Sequence, residues 1–223
     1  MANSVIIVAG GSGNRFGAEL PKQFLNLDGL PILMRTIQVF FSFDPALEII
    51  VVLPENQFEY WAGLCNKYDF SILHKIVSGG SERFFSVKKG LDAITSNGVI
   101  AIHDAVRPLV NHETLQKCFV IAAQQGSAIP VVAAVDSMRE LTENGQSCQV
   151  NRNAYRMVQT PQCFTREIIL KAFQQEYSPE FTDDASVVEK AGYPIYLVEG
   201  NRENIKITTP MDLVICEALV KNF

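Results

Sequence analysis

The alternation of short Val- and Ile-rich runs with longer amphipathic segments constrains this chain more than any other feature. The run SVIIVA is followed by a helix-like stretch near 31–43, EIIVVLP by one near 55–67, ILHKIV by one at about 82–96, and VIAIHD by one near 112–125, ahead of AIPVVAAV. Near-continuous apolar strands suit a sheet buried on both faces, and helices between successive strands are the crossovers that make such a sheet parallel. The expected fold is therefore α/β: a mostly parallel, Rossmann-like sheet with helices on both faces. With 223 residues, 48% of them hydrophobic, the chain can bury a substantial core as one domain over 1–223.

The alternation breaks over 136–160, DSMRELTENGQSCQVNRNAYRMVQT. Polar alternation around Asn144-Gly145 predicts a hairpin that projects from the domain as an arm. Beyond it the pattern predicts a helix over about 165–176 and a second opened by Thr182 as N-cap, with Asp183 and Asp184 in its first turn. A strand, PIYLVE, and a last helix begun by Thr209 and Pro210 complete the chain.

The five cysteines are scattered and never form C-x-x-C, which argues for buried apolar roles rather than a disulfide framework or zinc site. A net charge of −5 provides no footprint for a nucleic-acid polymer, so an anionic ligand must be met by a local cluster of cations. MANSVIIVAGG has neither a basic leader nor an apolar stretch of spanning length, so a cytoplasmic protein without membrane association is expected.

The segment after the first strand, VAGGSGNRFGAELPKQFL, invites three readings. A dinucleotide turn needs G-x-G-x-x-G and an acidic end to the second strand; here Gly17 comes one residue late and EIIVVL ends at Leu53-Pro54. A nucleoside triphosphate P-loop needs Gly-Lys-Ser/Thr, whereas Lys22 stands between Pro21 and Gln23. What remains is an amide-rich turn at the C-terminal edge of the sheet, with Arg15 and Lys22 able to share one triphosphate. An ordinary glycine-rich turn with two solvated cations fits the same residues.

The pattern A-G-G-x-G-x-R-x-G followed by P-K-Q-F resembles the nucleotide loop of sugar-phosphate nucleotidylyltransferases. The segments GGSERFFSV (79–87), IHDAVRPLV (102–110), VNRNAYRMVQTPQCF (150–164), TDDAS (182–186) and VEGNRENIKIT (198–208) extend the likeness across nearly the whole chain. Together they resemble the 2-C-methyl-D-erythritol 4-phosphate cytidylyltransferases of non-mevalonate isoprenoid synthesis. The ribitol 5-phosphate cytidylyltransferases share the opening loop and the HD-x-VRP segment but diverge at TDDASVVEKAG, which leaves ribitol phosphate as the alternative acceptor.

The resemblance implies attack by a sugar-phosphate oxygen on the α-phosphorus of CTP, a reaction run by positioning and charge neutralisation rather than by a nucleophilic side chain. It assigns the triphosphate to Ala9, Gly10, Gly11, Ser12 and Gly13, and the catalytic cations to Arg15, Lys22 and Lys206. Gly80, Ser81 and Ser86 would read cytosine and ribose, although Ser81 equally suits capping of the next helix, with Glu82 in its first turn. Asp104, ending VIAIHD beside Ala105, would hold Mg²⁺, for which one carboxylate suffices when phosphates and water complete the shell. Arg107 would bind the polyol phosphate acceptor, joined by Ser137, where the family carries threonine, and by Arg152 and Thr160. The family draws the last two from a partner subunit, implying a homodimer through the arm that covers Met138, Leu141, Val150, Tyr155 and Val158. Arg83, His103 and His112 read as structural or one step removed from ligand.

Overall fold

The computed structural model describes residues 2–10 and 20–221. Its strands are β1 (Ser4–Val8), β2 (Asn26–Leu27), β3 (Leu30–Pro31), β4 (Glu48–Leu53), β5 (Lys75–Ser78), β6 (Val99–Asp104), β7 (Ser127–Ala133), β8 (Arg139–Leu141), β9 (Ser147–Gln149), β10 (Arg156–Val158), β11 (Gln162–Thr165) and β12 (Leu197–Glu199). The helices are α1 (Ile32–Phe43), α2 (Phe58–Lys67), α3 (Arg83–Ala93), α4 (His112–Gln125), α5 (Arg166–Ala172), α6 (Asp184–Lys190) and α7 (Pro210–Val220).

The main sheet runs β5-β4-β1-β6-β11-β7, with β12 and β10 also paired to β7. Neighbours are parallel from β5 to β6 and again between β7 and β12, while β11 enters antiparallel between β6 and β7. The order reverses at β1, which has β4 on one side and β6 on the other. A crevice opens outside the strand ends at such a switch point. Register sharpens this: Val8 pairs with both Val52 and Asp104, so the ends of β1, β4 and β6 lie level.

Strand alternation divides the core between the two faces of the sheet. Val5, Ile7, Ile49, Val51 and Leu53 face Leu33, Met34, Ile37 and Phe40 of α1, Trp61 of α2 and Leu115 of α4. Ile6, Ile50, Val52, Ile100 and Ile102 face Phe84, Val87 and Leu91 of α3 and Ile169 of α5. Each fully buried side chain of this kind contributes about 1.5–3 kcal/mol, so the unbroken apolar runs hold the sheet between its helix layers. A third cluster, Leu27, Ile32, Leu109, Ile207 and Cys216, packs α7 against the β2–β3 hairpin.

Several boundaries differ from the sequence expectation for local reasons. The cap of α6 is Asp183 rather than Thr182, because the Asp183 carboxylate accepts from the Ser186 amide at 2.9 Å and the Ser186 hydroxyl completes a capping box. Ser81 does not cap α3: the N-cap is Glu82, with no side-chain cap bond. That helix stops at Ala93, where Ile94 turns extended, and α5 stops at Ala172, each short of the span expected. Pairing in ILHKIV begins only at Lys75. The arm hairpin closes through a bond from the Gly145 amide to the Thr142 carbonyl, with Gly145 at φ +79, so the glycine supplies the left-handed residue after the turn. Among the described residues no helix is long and apolar enough to cross a membrane.

Candidate active site

At the switch point a cavity of about 300 Å³ is lined by Val8, Ala9 and Gly10 from the end of β1, Asp104, Ala105 and Val106 from the end of β6, and Gly80 to Arg83 with Ser86 before and within α3. Lys22, Gln23 and Lys206 close it. Nine predicted site residues thus meet in one cavity: Ala9, Gly10, Lys22, Gly80, Ser81, Ser86, Asp104, Ala105 and Lys206. Gly11, Ser12, Gly13 and Arg15 lie outside the described residues.

Backbone geometry explains several of these positions. The Ser86 hydroxyl accepts from the Gly80 amide at 3.0 Å and donates to the Glu82 carbonyl at 3.1 Å, bracing the turn that enters α3. Glycine is required at 80, since a Cβ there would lie 2.4 Å from the Phe85 Cβ. Gln23 is buried and donates to the Ala9 carbonyl and to Gln57 Oε1, both at 2.9 Å. It ties the short 3-10 turn bearing Lys22 to the end of β1.

Asp104 is the electrostatic hub. Its Oδ2 accepts from Arg107 Nε at 3.1 Å and pairs with Lys206 Nζ at 3.1 Å, while Oδ1 faces Arg83 Nε at 4.0 Å. Burial alone would raise the Asp104 pKa, but Arg83, Lys206 and Arg107 outweigh it and hold the carboxyl well below the usual range. Arg107 also donates to the Asn204 carbonyl at 2.8 Å, so it is fixed at both ends, whereas the Lys206 side chain is 45% exposed. Arg107 sits behind Asp104 rather than in the cavity lining.

Arg83, expected to be structural or one step from ligand, lines the cavity. Its two terminal nitrogens donate to Asp184 at 2.7 and 2.6 Å, a bidentate pair closed across 101 residues of sequence. Burial alone would lower the Arg83 pKa, but the Asp184 carboxylate, with Asp104 and Asp183 beyond it, raises it and keeps the guanidinium charged. For Asp184 burial dominates and pushes its carboxyl up despite Arg83.

His103 is structural, as expected. It is fully buried and its Nε2 contacts the Arg107 carbonyl at 3.0 Å. A carbonyl only accepts, so Nε2 carries the proton and Nδ1 accepts from the Thr160 hydroxyl at 3.0 Å. Thr160 in turn accepts from the Asp104 amide at 3.1 Å. Burial lowers the His103 pKa to about 4, consistent with this neutral ring. Thr160 is therefore buried against Asp104 of its own chain, with its proton committed to His103. His112 also reads as structural, contacting Ser42 at the exposed start of α4.

The other acceptor candidates lie elsewhere. Ser137 and Arg152 line a separate cavity of about 310 Å³ on the arm, where Arg152 donates to the Val135 carbonyl. Neither lines the main cavity. Sequence reasoning missed Gln23 and undervalued Arg83; the second acid of TDDAS was the one signal that a buried cation stood opposite.

Magnesium chemistry is compatible with these donors. Among the described residues no three His, Cys, Asp or Glu side chains converge on a metal position. Mg²⁺ needs no such cage, taking one or two carboxylates with phosphate oxygens and water. Asp104 Oδ1, 4.0 Å from Arg83 Nε and hence beyond hydrogen-bond reach of it, suits that role.

The comparisons identify the family and agree with the fold. Residues 3–222 match the family model described as 2-C-methyl-D-erythritol 4-phosphate cytidylyltransferase. A protein of that name from Bacteroides fragilis is 51% identical over 220 residues, covering 99% of this chain and 100% of the relative. One from Porphyromonas gingivalis is 46% identical over 216 residues, with 96% of each chain covered. The crystal structure of 2-C-methyl-D-erythritol 4-phosphate cytidylyltransferase from Thermus thermophilus superposes with a TM-score of 0.81 at 30% identity, covering 99% of this chain and 100% of the other. The chain thus belongs to the 2-C-methyl-D-erythritol 4-phosphate cytidylyltransferase family.

Proposed function

We propose that the protein transfers CMP from CTP to 2-C-methyl-D-erythritol 4-phosphate in a Mg²⁺-dependent reaction, forming 4-diphosphocytidyl-2-C-methyl-D-erythritol and releasing pyrophosphate. The observation that carries this reading is Asp104, a carboxylate at the strand switch point with three cations around it. An acceptor phosphate oxygen bonds to the α-phosphorus of CTP while the bond to the bridging oxygen breaks, and both electrons leave with pyrophosphate. Two anions must approach, so the chain's task is to orient them and to supply positive charge where it develops.

Arg15 and Lys22 stabilise the α-phosphate and departing pyrophosphate, and Lys206 reaches the same phosphates from the other wall. Amides of residues 9–13 cradle the triphosphate, while Gly80, Ser81 and Ser86 receive cytosine and ribose. Asp104, beside Ala105, would hold Mg²⁺, which when bound would offset the negative charge of the phosphates.

Arg107, bonded to Asp104 and the Asn204 carbonyl in this structure, would turn from those partners to meet the acceptor phosphate. Ser137, Arg152 and Thr160 complete the acceptor site, Thr160 through the remaining lone pair of its hydroxyl. Arg152 comes from a second subunit in a homodimer formed through the arm at 136–160, whereas Thr160 stays with its own chain, bonded to the Asp104 amide and His103. Support comes from exposed apolar side chains there: Leu141 is 80% exposed and Met157 59%, with Tyr155 and Val158 also exposed. A second copy would cover them. The reading assigns the protein to the cytoplasm, as a source of isoprenoid precursors, with no nucleic-acid polymer as substrate.

The test is pyrophosphate release with CTP and a panel of four- and five-carbon polyol phosphates. Turnover of methylerythritol phosphate that stops when Mg²⁺ is chelated is expected. Exclusive turnover of ribitol 5-phosphate would replace the acceptor, and no release with any of them would refute the activity.

A further inference from the structure

Arg83 and Asp184 form a buried pair that the proposed roles above leave unused, yet the pair stands at the wall of the site. Asp184 has a side chain only 1% exposed, whereas that of Arg83 is 31% exposed and reaches the cavity. The anchor is itself fixed. Next to it, Asp183 Oδ2 accepts from Gln162 Nε2 at 2.7 Å, and Gln162 Oε1 accepts from the Ala185 amide at 2.8 Å. Gln162 lies on β11, opposite Ile102 of β6, two residues before Asp104. The start of α6 is therefore stapled to the strand pair that carries the hub carboxylate.

The bidentate contact uses one N–H on each terminal nitrogen of Arg83 and leaves the Nε edge turned toward Asp104 Oδ1 at 4.0 Å. At that separation the guanidinium attracts Oδ1 without occupying its lone pairs. The other two cations crowd onto Oδ2. Lys206 is the more exposed of these, so a phosphate that draws it away leaves Arg107 pulling on one oxygen alone.

We propose that Arg83, clamped by Asp184, is a positioning residue that holds the Asp104 carboxylate in its productive orientation while leaving Oδ1 open to ligand. The inference rests on the reading of this cavity as the CTP site. It makes Arg83 act through Asp104, so its loss should lower turnover without weakening nucleotide binding.

The experiment compares R83Q and R83K with the parent in steady-state kinetics, per folded molecule as counted by thermal unfolding. A displaced Asp104 lowers kcat of R83Q by about 10²-fold with the CTP KM within about threefold, the pattern of an interaction needed in the transition state. R83K restores a cation without the planar fork and recovers about tenfold of that loss. A purely structural pair predicts fewer folded molecules but unchanged kcat in each, and R83Q within about twofold of the parent in kcat overturns the proposal.

If R83Q fails to fold, D184N keeps the shape of the anchor and serves instead, with the same kcat-only loss expected and unchanged kcat overturning the proposal. Crystal structures of parent and variant decide the point without turnover: Asp104 should rotate away from its present direction, and an unmoved carboxylate overturns the proposal. Failure of the parent to turn over CTP would refute the functional reading alone.

Discussion

The cavity and the arm are built on opposite principles. Around Asp104, charged and polar groups are packed into the sheet edge and cross-linked within one chain: Arg83 to Asp184, Arg107 to Asn204, Thr160 to His103. On the arm, β8 and β9 pair only with each other among the described residues, every residue of the two strands is exposed, and Leu141 points into solvent. A two-stranded ribbon of this kind is marginal alone. The difference teaches that the proposed nucleotide end is preorganised within the protomer, while the proposed acceptor end depends on a further surface that would cover the arm's exposed apolar residues.

Substitutions separate the two regions. The largest effect is expected in the cavity. Asp104→Ala removes the hub and leaves three cations facing one another, and turnover should fall at least about 10³-fold. Lys22→Ala and Arg15→Ala should each cost about 10²–10³-fold in kcat, read by pyrophosphate release. A loss of only a few-fold in either would withdraw the phosphate-stabilising role from that cation.

On the arm, Arg152→Ala should raise the acceptor KM about tenfold and leave the CTP KM unchanged, since the groups it touches are remote from the nucleotide. Equal rises in both constants would contradict the division between regions.

The smallest effect is read in stability rather than rate. His103 has its pKa lowered to about 4 in the folded chain against 6.5 ordinarily, so the unfolded state binds the extra proton first as pH falls. The contribution of the neutral ring is complete above the ordinary value and is lost as pH drops toward 4, amounting to about 3 kcal/mol in all. Thermal unfolding should show the loss beginning below neutrality, and His103→Gln should flatten that slope. An unchanged slope would mean that other groups carry it.

How far each region could be read from sequence follows from the range of its interactions. Strands β4 and β6 and helices α1 and α4 were legible because periodicity is local and their apolar residues point where the pattern requires. The antiparallel β11 was not: its four residues follow Pro161 and carry too little pattern to announce a strand between β6 and β7. The motifs gathered at Asp104 were legible as a set. The Arg83–Asp184 clamp was not, because its halves sit in two motifs 101 residues apart and only packing brings them together. Thr160 shows the converse: its place in a motif suggested ligand contact, while the fold commits its proton to His103.

The division of labour between cavity and arm can be tested by mixing two impaired proteins, assayed at an acceptor concentration well below the parental KM. Lys22→Ala and Arg152→Ala chains, co-expressed with different tags and purified as the mixed dimer, generate one site with both lesions and one with neither. If the arm of one subunit completes the cavity of the other, the mixed dimer should regain about half of the parental turnover. Turnover no higher than that of the Arg152→Ala protein would place Lys22 and Arg152 in the same subunit's site and contradict the account.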